Sequence, residues 1–263
     1  AGELAKADSF GIKVPKGVKV DFPAVMERMR RIRAHISPND SVARFAEMGI
    51  DVFLGEGTFT GKRMAEVDGK HLEFSKAVIA TGARASAPPI PGLEQAGYLT
   101  NETLFSLTEL PKRLAIIGAG PIGCEMAQSF ARFGAEVHLI ELADQILPKE
   151  PANVARIIEQ TLERDGVNLT KSAKTNGVET DNGEKTISIE SGGSTMKIEI
   201  DEIIVSVGRT PNIENLGLER AGVDYDPKIG VTVNDYLQTS NKRIYAAGDI
   251  CSPYKFTHTA DAQ

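Results

Sequence analysis

The sequence predicts an α/β fold organised around a parallel sheet, and three consecutive features of residues 113–141 predict it. Leu114–Ile117 is a short apolar run of the kind found in parallel strands that are buried on both faces. A G-x-G-x-x-G turn over Gly118–Gly123 follows and leads into a helical apolar stripe. A second strand, Glu136–Ile140, then ends in the acidic Glu141. This order of strand, glycine turn, helix, strand and acid is typical of a Rossmann-like unit that binds a dinucleotide.

Each of the three glycines in the turn is expected to have a different structural role. Gly118 allows the tight turn, Gly120 lets the backbone approach a pyrophosphate, and Gly123 lets helix and strand pack closely. The helix that opens at Pro121 and Ile122 offers unpaired N–H groups and the positive end of its dipole. The turn can therefore hold a pyrophosphate without a positive side chain.

Glu141 predicts which dinucleotide is bound. It follows the glycines by about twenty positions, where a carboxylate that binds the adenine-side ribose is expected. Such a carboxylate accepts hydrogen bonds from a free 2′-OH and repels a 2′-phosphate. The adjoining stretch, residues 142–145, contains no arginine that could offset this repulsion. The sequence therefore favours NAD(H) over NADP(H).

Composition sets the general class of the protein. At 263 residues the chain exceeds one average domain, so we expect two. A hydrophobic content of 41% and a charged content of 25% are ordinary for a globular protein with a buried core. The net charge of −6 argues against nucleic acid as the main partner. There is no apolar run that could span a bilayer and no apolar signal-peptide core, so we expect a cytoplasmic protein without membrane contact.

The two cysteines, Cys124 and Cys251, are far apart in the sequence and form no C-x-x-C arrangement. Their number and spacing disfavour both a disulfide framework and a metal site. Cys124 falls in the first turn of the helix after the glycines, where a helix N-terminus can lower the pKa of a thiol. Packing as a buried small residue is the alternative, and it is the one we favour.

The rest of the chain contains further helices and strands. A long helix is expected from Phe22 with Asp21 as its N-cap, and another over residues 152–164. An Asp68-Gly69 pair predicts a hairpin. The predicted strands outside the opening unit are 51–54, 64–67, 71–74, 77–80, 167–170, 185–190, 195–200, 201–207, 231–234 and 243–247.

Four segments together carry a resemblance to a known family. They are Ala80-Thr81-Gly82, the Gly118–Glu125 turn with Glu141, Gly208-Arg-Thr-Pro-Asn212, and Ala246-Ala-Gly-Asp249. In this order and spacing the chain resembles the two-dinucleotide disulfide reductases, the group that contains dihydrolipoamide dehydrogenase, glutathione reductase and mercuric reductase. Its overall texture is most similar to that of mercuric-reductase-like and dihydrolipoamide-dehydrogenase-like members.

The resemblance implies a Rossmann-like three-layer NAD(P)-binding domain inserted into remnants of a second, FAD-binding domain. On this interpretation residues 1–98 are part of the FAD-binding domain, residues 99–235 form the NAD(P)-binding domain, and residues 236–263 return to the FAD-binding domain.

The same resemblance implies roles for individual residues. Asp249 would bind the flavin ribityl chain, and Thr81 and Gly82 would pass close to the FAD. Glu125 would lie near the side of the flavin that faces the nicotinamide, and Thr257, between Phe256 and His258, would pass the isoalloxazine. The segment 206–208 would lie beside the nicotinamide half, where small residues allow close approach. The full set of expected cofactor-binding residues is Thr81, Gly82, Gly118, Gly120, Pro121, Ile122, Gly123, Glu125, Glu141, Val207, Gly208, Arg209, Gly248, Asp249 and Thr257.

The chain also departs from the family pattern. It contains neither the first glycine fingerprint nor the C-x-x-x-x-C redox pair, and it stops before the dimerisation domain. We therefore expect a fragment with no catalytic residue of its own, and a homodimer only for the complete protein. Pro121 stands where many relatives have a tyrosine that gates the flavin.

Three functions remain open at this point. The first is a part of a flavoprotein oxidoreductase that takes hydride from NAD(P)H to FAD and, in the complete protein, on to a disulfide or metal-ion acceptor. The second is an isolated, non-catalytic NAD(H)-binding module. The third is a flavin-dependent reductase or NADH oxidase without disulfide chemistry.

Overall fold

The structure, a computed structural model, describes the backbone of residues 1–263 and the side chains of all of these except Ala5. The α-helices of the described residues are α1 Gly2–Ala5, α2 Phe22–Ile36, α3 Val42–Glu47, α4 Leu93–Ala96, α5 Pro121–Phe133, α6 Ala152–Arg164, α7 Leu218–Ala221 and α8 Thr257–Asp261. Short 3-10 turns lie at Ala7–Phe10, Ser37–Asp40, Leu104–Ser106 and Gly248–Ile250.

The strands of the described residues all lie between α3 and α8 in the chain. They are β1 Gly57–Gly61, β2 Met64–Val67, β3 Lys70–Glu73, β4 Ala77–Ile79, β5 Ala83–Ala85, β6 Arg113–Ile117, β7 Glu136–Ile140, β8 Val167–Thr170, β9 Ala173–Asp181, β10 Glu184–Ser191, β11 Ser194–Ile200, β12 Glu202–Val205, β13 Arg209–Pro211, β14 Tyr225–Asp226, β15 Gly230–Val231 and β16 Ile244–Ala246.

The chain divides into two compact units, each made of two stretches. Unit 1 comprises Ala1–His35 and Ala85–Gly208, and unit 2 comprises Ile36–Arg84 and Arg209–Gln263. Residues 209–235, which the resemblance places in the NAD(P)-binding domain, belong to unit 2 by their contacts. The predicted domain boundaries rest on the family pattern and stay a prediction.

Unit 1 contains a four-stranded parallel sheet in the order β12-β6-β7-β8. The central strand β6 places Ile116 opposite Ile204 on one side and opposite Leu139 on the other. The predicted strands of residues 114–117, 136–140 and 167–170 are thereby confirmed. Hydrogen bonds on both sides of β6 hold its carboxyl end, where the glycine turn begins.

Both faces of this sheet are covered, because successive side chains of a strand point to opposite sides. Leu114 and Ile116 pack in a core that includes residues of α2, α5 and α6. Ala115 and Ile117 pack in a second core with residues of the antiparallel sheet β11-β10-β9. Unit 1 thus has helices, a parallel sheet and an antiparallel sheet as its three layers, and the predicted α/β class is confirmed.

The helix α2 begins as the sequence predicts. The Asp21 Oδ1 accepts a hydrogen bond of 3.0 Å from the N–H of Ala24, which is an N-cap. Phe22 then packs its ring 5.9 Å from that of Phe130 and 5.7 Å from that of Phe133, measured between centroids. Aromatic pairs at these separations attract one another, so α2 is anchored on α5.

Unit 2 is built from small sheets around its own core. Strands β1-β2-β3 form an antiparallel meander whose second turn is the predicted Asp68-Gly69 pair, with φ of 48° and 75°. Strands β16 and β4 pair in parallel, and β13 pairs with β5. The largest apolar side chains of the core are Ile79, Leu218, Ile244 and Ile250.

Two of the predicted strands need correction. Residues 51–54 form no strand: Leu54 is 75% exposed, and β1 begins only at Gly57, after Gly55 with φ of 147°. The predicted strand 231–234 shortens to Gly230–Val231. Strand β9 was not expected, because its sequence is mostly polar and only a few of its side chains, such as Val178, are buried. Among the described residues, no helix combines the length and apolar character needed to cross a membrane.

Candidate functional site

The glycine turn starts where β6 ends. Gly118 has a φ of 99°, which disfavours any residue with a side chain. A Cβ at Gly118 would also lie 2.7 Å from the carbonyl oxygen of Ser206. The N–H of Gly118 donates to the carbonyl of Ile140 at 2.8 Å, and the carbonyl of Ala119 accepts from the N–H of Leu147 at 2.8 Å. The protein itself therefore requires glycine at this position.

Gly123 is required by packing. A Cβ there would lie 1.9 Å from the carbonyl oxygen of Gly118 and 2.8 Å from the Ser206 Oγ. Its position inside the first turn of α5 brings the helix against the carboxyl end of the parallel sheet. The close helix–strand contact that the glycine spacing predicts is present.

Gly120 differs from the other two glycines. Its φ of −70° and ψ of −176° are open to any residue, and a Cβ there would have no neighbour within 4 Å. Neither the backbone conformation nor the packing of the chain calls for a glycine. The space beside Gly120 is open for a group from outside the chain.

Backbone donors surround that space. The N–H groups of Gly120, Ile122 and Gly123 have no hydrogen-bond acceptor among the described residues, and Pro121 has no N–H. The N–H of Cys124 is the first to be used, bonding the carbonyl of Gly120 at 3.0 Å. These free donors stand at the N-terminus of the 13-residue helix α5, whose dipole adds partial positive charge. Such an arrangement suits an anion.

Glu141 lies at the end of β7, beside the turn. Its Oε2 accepts from the N–H of Ala119 at 2.6 Å, and its Oε1 accepts from the N–H of Ala143 at 2.9 Å. A carboxylate offers about four acceptor positions, so about two remain for a further donor such as a ribose hydroxyl. The carboxylate is therefore both part of the turn's own structure and a free acceptor.

The remaining predicted residues of unit 1 have fewer contacts with the glycine turn. The backbone nitrogen of Val207 lies 3.1 Å from the position a Gly118 Cβ would take, and Val207 as a whole residue is 43% exposed. Gly208 has a φ of 139° and its carbonyl accepts from the N–H of Ser86 at 3.0 Å. Glu125, the fifth residue of α5, is exposed. Val207 is thus next to the turn through its backbone.

Cys124 is a buried thiol, 6% exposed. Burial, with smaller effects from the charges of Glu141 and Glu125, raises the pKa of the Cys124 thiol to about 12. The packing role is confirmed, and the alternative of a thiol activated by the helix N-terminus is wrong. Both cysteines are free. The described residues contain no cluster of His, Cys, Asp and Glu that could hold a metal ion.

In unit 2, Asn212 holds the loop that contains Thr81 and Gly82. The Thr81 Oγ1 donates to the carbonyl of Asn212 at 2.9 Å, and the Asn212 Nδ2 donates to the carbonyl of Thr81 at 2.9 Å. The N–H of Asn212 donates to the carbonyl of Gly82 at 3.0 Å. Gly82 has a φ of 66°. Two motifs of the resemblance are thereby joined.

Arg209 and Asp249 form an ion pair with 3.1 Å between Nε and Oδ2. The Arg209 Nη2 donates to the carbonyl of Ala83, but its Nε is buried and makes no hydrogen bond of good geometry within the described residues. The ion pair brings two further predicted residues together.

The last two predicted residues lie in the chain's final elements. The N–H of Gly248 donates to the Oε1 of Gln263 at 2.7 Å, and Thr257 is the exposed first residue of α8. The structure thus sorts the predicted residues into two sets, one at the glycine turn of unit 1 and one around Arg209 and Asp249 in unit 2.

Sequence reasoning missed some contacts around both sets. It did not foresee that the Ala119 N–H binds Glu141, that the Ser206 hydroxyl binds Gly118, or that Asn212 bonds Thr81 and Gly82. The motif that contains Asn212 was noticed, which is the signal that could have found it. Ser206 belongs to the segment 206–208 that the resemblance places beside the nicotinamide half, but its hydrogen bond to Gly118 has no signal in the sequence.

The fold and the turn define a dinucleotide-binding α/β protein. A family model described as pyridine nucleotide-disulphide oxidoreductase matches residues 15–263, so the chain belongs to this family. This confirms the resemblance found in the sequence.

Individual relatives agree with the family. The chain is 34% identical over 264 residues to a mercuric reductase from Lysinibacillus sphaericus, covering 99% of this chain and 48% of that protein. It is 34% identical over 263 residues to a dihydrolipoyl dehydrogenase from Bacillus subtilis (strain 168), covering 98% and 57%. The solved HOCl-induced flavoprotein disulfide reductase RclA from Escherichia coli matches with a TM-score of 0.83 at 29% identity, covering 92% and 55%. The chain spans about half the length of these relatives.

Proposed function

We propose that this chain binds NADH at the glycine turn and acts as the NADH-binding part of a flavoprotein oxidoreductase that also holds FAD. When bound, the nicotinamide supplies a hydride and the flavin accepts it; the redox chemistry belongs to the cofactors. The chain's own residues bind and orient them.

The observation that carries the proposal is the open space at Gly120. A glycine that neither φ nor packing requires, next to the free N–H groups of Gly120, Ile122 and Gly123, supports a pyrophosphate that approaches the backbone. The helix dipole of α5 favours the negative charge there. No positive side chain is needed.

Glu141 supports NADH in preference to NADPH. Two backbone N–H groups hold its carboxylate at the edge of the turn, and its remaining acceptor positions suit the two hydroxyls of a ribose. A 2′-phosphate would meet the same negative charge and be repelled. Val207 and Gly208, next to the turn, would border the nicotinamide half.

The set around Arg209 supports FAD as the second cofactor. Arg209 pairs with the Asp249 carboxylate, whose remaining acceptor positions can accept hydrogen bonds from the hydroxyls of a ribityl chain. Thr81, Gly82, Gly248 and Thr257 belong to the same proposed site. In the complete protein we propose a disulfide or metal-ion acceptor, a homodimer and a cytoplasmic location.

The experiment is a fluorescence titration of the chain with NADH and NADPH. Wild type should bind NADH more tightly, and Glu141→Arg should shift the preference towards NADPH. Arg cannot accept hydrogen bonds from the N–H groups of Ala119 and Ala143, so the ratio of the two affinities, rather than either affinity alone, is the quantity to compare. Glu163→Arg, the same charge change on the exposed face of α6, is the control and should keep the wild-type ratio.

Each other outcome has a definite meaning. A chain that binds neither dinucleotide contradicts the proposal, and an unchanged ratio in Glu141→Arg shows that Glu141 does not face the ribose. Colourless protein that binds NADH without oxidising it would identify a non-catalytic NAD(H)-binding module. Yellow protein that reduces oxygen with NADH would favour the oxidase alternative.

A further inference from the structure

The residue of interest is Ser206, which follows β12 directly. Its Oγ–H donates to the carbonyl of Gly118 at 2.8 Å and lies 3.1 Å from the carbonyl of Ile117. The N–H of Ser206 also donates to the carbonyl of Ile117 at 2.8 Å. Ser206 therefore contacts the glycine turn from a neighbouring strand of the sheet through both backbone and side chain.

The planarity of the peptide bond links this contact of Ser206 to Glu141. In a trans peptide the C=O of one residue and the N–H of the next point in opposite directions, and the chain has no cis peptide. The C=O of Gly118 accepts from Ser206, and the N–H of Ala119, in the same peptide, donates to the Glu141 Oε2 at 2.6 Å. One rigid plane is thus held by Ser206 on one side and by Glu141 on the other.

The groups on either side are bonded as well, the Gly118 N–H to Ile140 and the Ala119 carbonyl to Leu147, but the C=O and N–H of the plane itself bond Ser206 and Glu141. Gly118 lacks the side chain that would limit its rotation, and its φ of 99° lies in a region where glycine moves freely. Removing the Ser206 hydroxyl takes away the hydrogen bond that orients the Gly118 carbonyl, so the Ala119 N–H that fixes the Glu141 carboxylate loses part of its support.

We propose that Ser206 is a positioning residue for dinucleotide selection: acting through the Gly118–Ala119 peptide, it holds the Glu141 carboxylate in the orientation that recognises the ribose hydroxyls. This inference rests on the proposed function, because it assumes that Glu141 faces the ribose. It assigns the preference for NADH to a pair of residues rather than to Glu141 alone.

The test measures the affinities of the chain for NADH and NADPH in a set of Ser206 variants. Ser206→Ala should lower the affinity for NADH about fivefold, the worth of one ordinary hydrogen bond, and lower that for NADPH less. Ser206→Thr keeps the hydroxyl and should retain most of the preference for NADH. Ser206→Val, whose side chain has nearly the shape of threonine but no hydroxyl, should lose that preference. A merely structural role would change both affinities together and leave their ratio unaltered.

A double-mutant cycle adds a second readout. If Ser206 acts through Glu141, the combined loss of NADH affinity in Ser206→Ala with Glu141→Gln should be smaller than the product of the two single losses. Ser191→Ala is the matched control, since its hydroxyl also donates to a backbone carbonyl, that of Lys171 at 3.2 Å, in a part-buried position of unit 1. Thermal unfolding of every variant shows that the fold is intact.

The outcomes separate the two proposals. Wild type that binds neither dinucleotide overturns the proposed function and the role of Ser206 with it. The role of Ser206 alone is overturned by a different result. In it, wild type prefers NADH, the ratio of NADH to NADPH affinity is the same in Ser206→Ala as in the Ser191→Ala control, and the cycle shows independent effects. The role of Ser206 is supported if the ratio of NADH to NADPH affinity falls in Ser206→Ala and Ser206→Val but is retained in Ser206→Thr.

Discussion

The glycines of the turn allow a sharp test, because packing requires a glycine at position 123 and does not require one at position 120. Gly123→Ala would place a Cβ 1.9 Å from the carbonyl of Gly118, against backbone that cannot easily yield. Overpacking of this kind costs about 3 kcal/mol, and the better helix propensity of alanine offsets about 1 kcal/mol of it. The net cost of about 2 kcal/mol should lower the Tm by about 4–8 °C.

Gly120→Ala should behave in the opposite way. Its Cβ meets no atom of the chain, so only the weaker N-cap preference of alanine counts, with a fall in Tm of about 1–3 °C. The same Cβ would stand between the free N–H groups and the pyrophosphate, so the affinity for NADH should fall about tenfold or more, which is ~1.4 kcal/mol.

The assay combines differential scanning fluorimetry with an NADH titration of each variant. Gly61→Ala in β1 is the control, since its Cβ would come no closer than 3.8 Å to another atom and it belongs to unit 2. It should leave the NADH affinity unchanged. If Gly120→Ala binds NADH like wild type, the open space does not receive the pyrophosphate; if Gly123→Ala is as stable as wild type, the packing reasoning is refuted.

Three further predictions concern single side chains. Because burial raises the pKa of the Cys124 thiol to about 12, iodoacetamide should label it at pH values of about 7 to 9 only after unfolding in urea, as mass spectrometry of digests would show. Gly92→Ala should lower the Tm by about 4 °C or more, since its φ is 76° and its Cβ would lie 1.9 Å from the carbonyl of Val178. The hydrogen bond from Arg84 lowers the pKa of Glu214 to about 2. The stability that Glu214 contributes is therefore present above its unfolded pKa of about 4.3 and is lost as the pH falls towards 2. In acid-unfolding measurements the stability of Glu214→Gln should differ from that of wild type near neutral pH and converge with it at about pH 2.

The parts of the structure that the sequence predicted well are those decided by neighbouring residues. The apolar run of β6, the glycines and the stripe of α5 are close in the chain, and each obeys a local rule of geometry. The bounds of β7 and α6 agree with the prediction for the same reason. Strand β9 escaped prediction because exposure on one side leaves it mostly polar.

The contacts that complete the site could not be predicted in this way. Ser206 meets Gly118 across 88 positions of sequence, and Thr81 meets Asn212 across 131. These pairings depend on strand order in space, which a single sequence does not display. Residues 51–54, which the sequence predicts as a strand, show the same limit. They form no strand, because a strand needs a partner as well as a suitable composition.

The parallel pair β16–β4 bears on the order in which the chain folds. Next to this pair Arg243 donates to the carbonyl of Ser75, which is 168 positions away in the sequence. Closing so long a loop costs entropy before any contact compensates for it, whereas β6, the turn, α5 and β7 are consecutive. We expect amides of β6 and β7 to become protected from hydrogen exchange before those of β16 in a pulse-labelling refolding experiment. Synthesis from the N-terminus would then complete the glycine turn well before the two halves of unit 2 can meet.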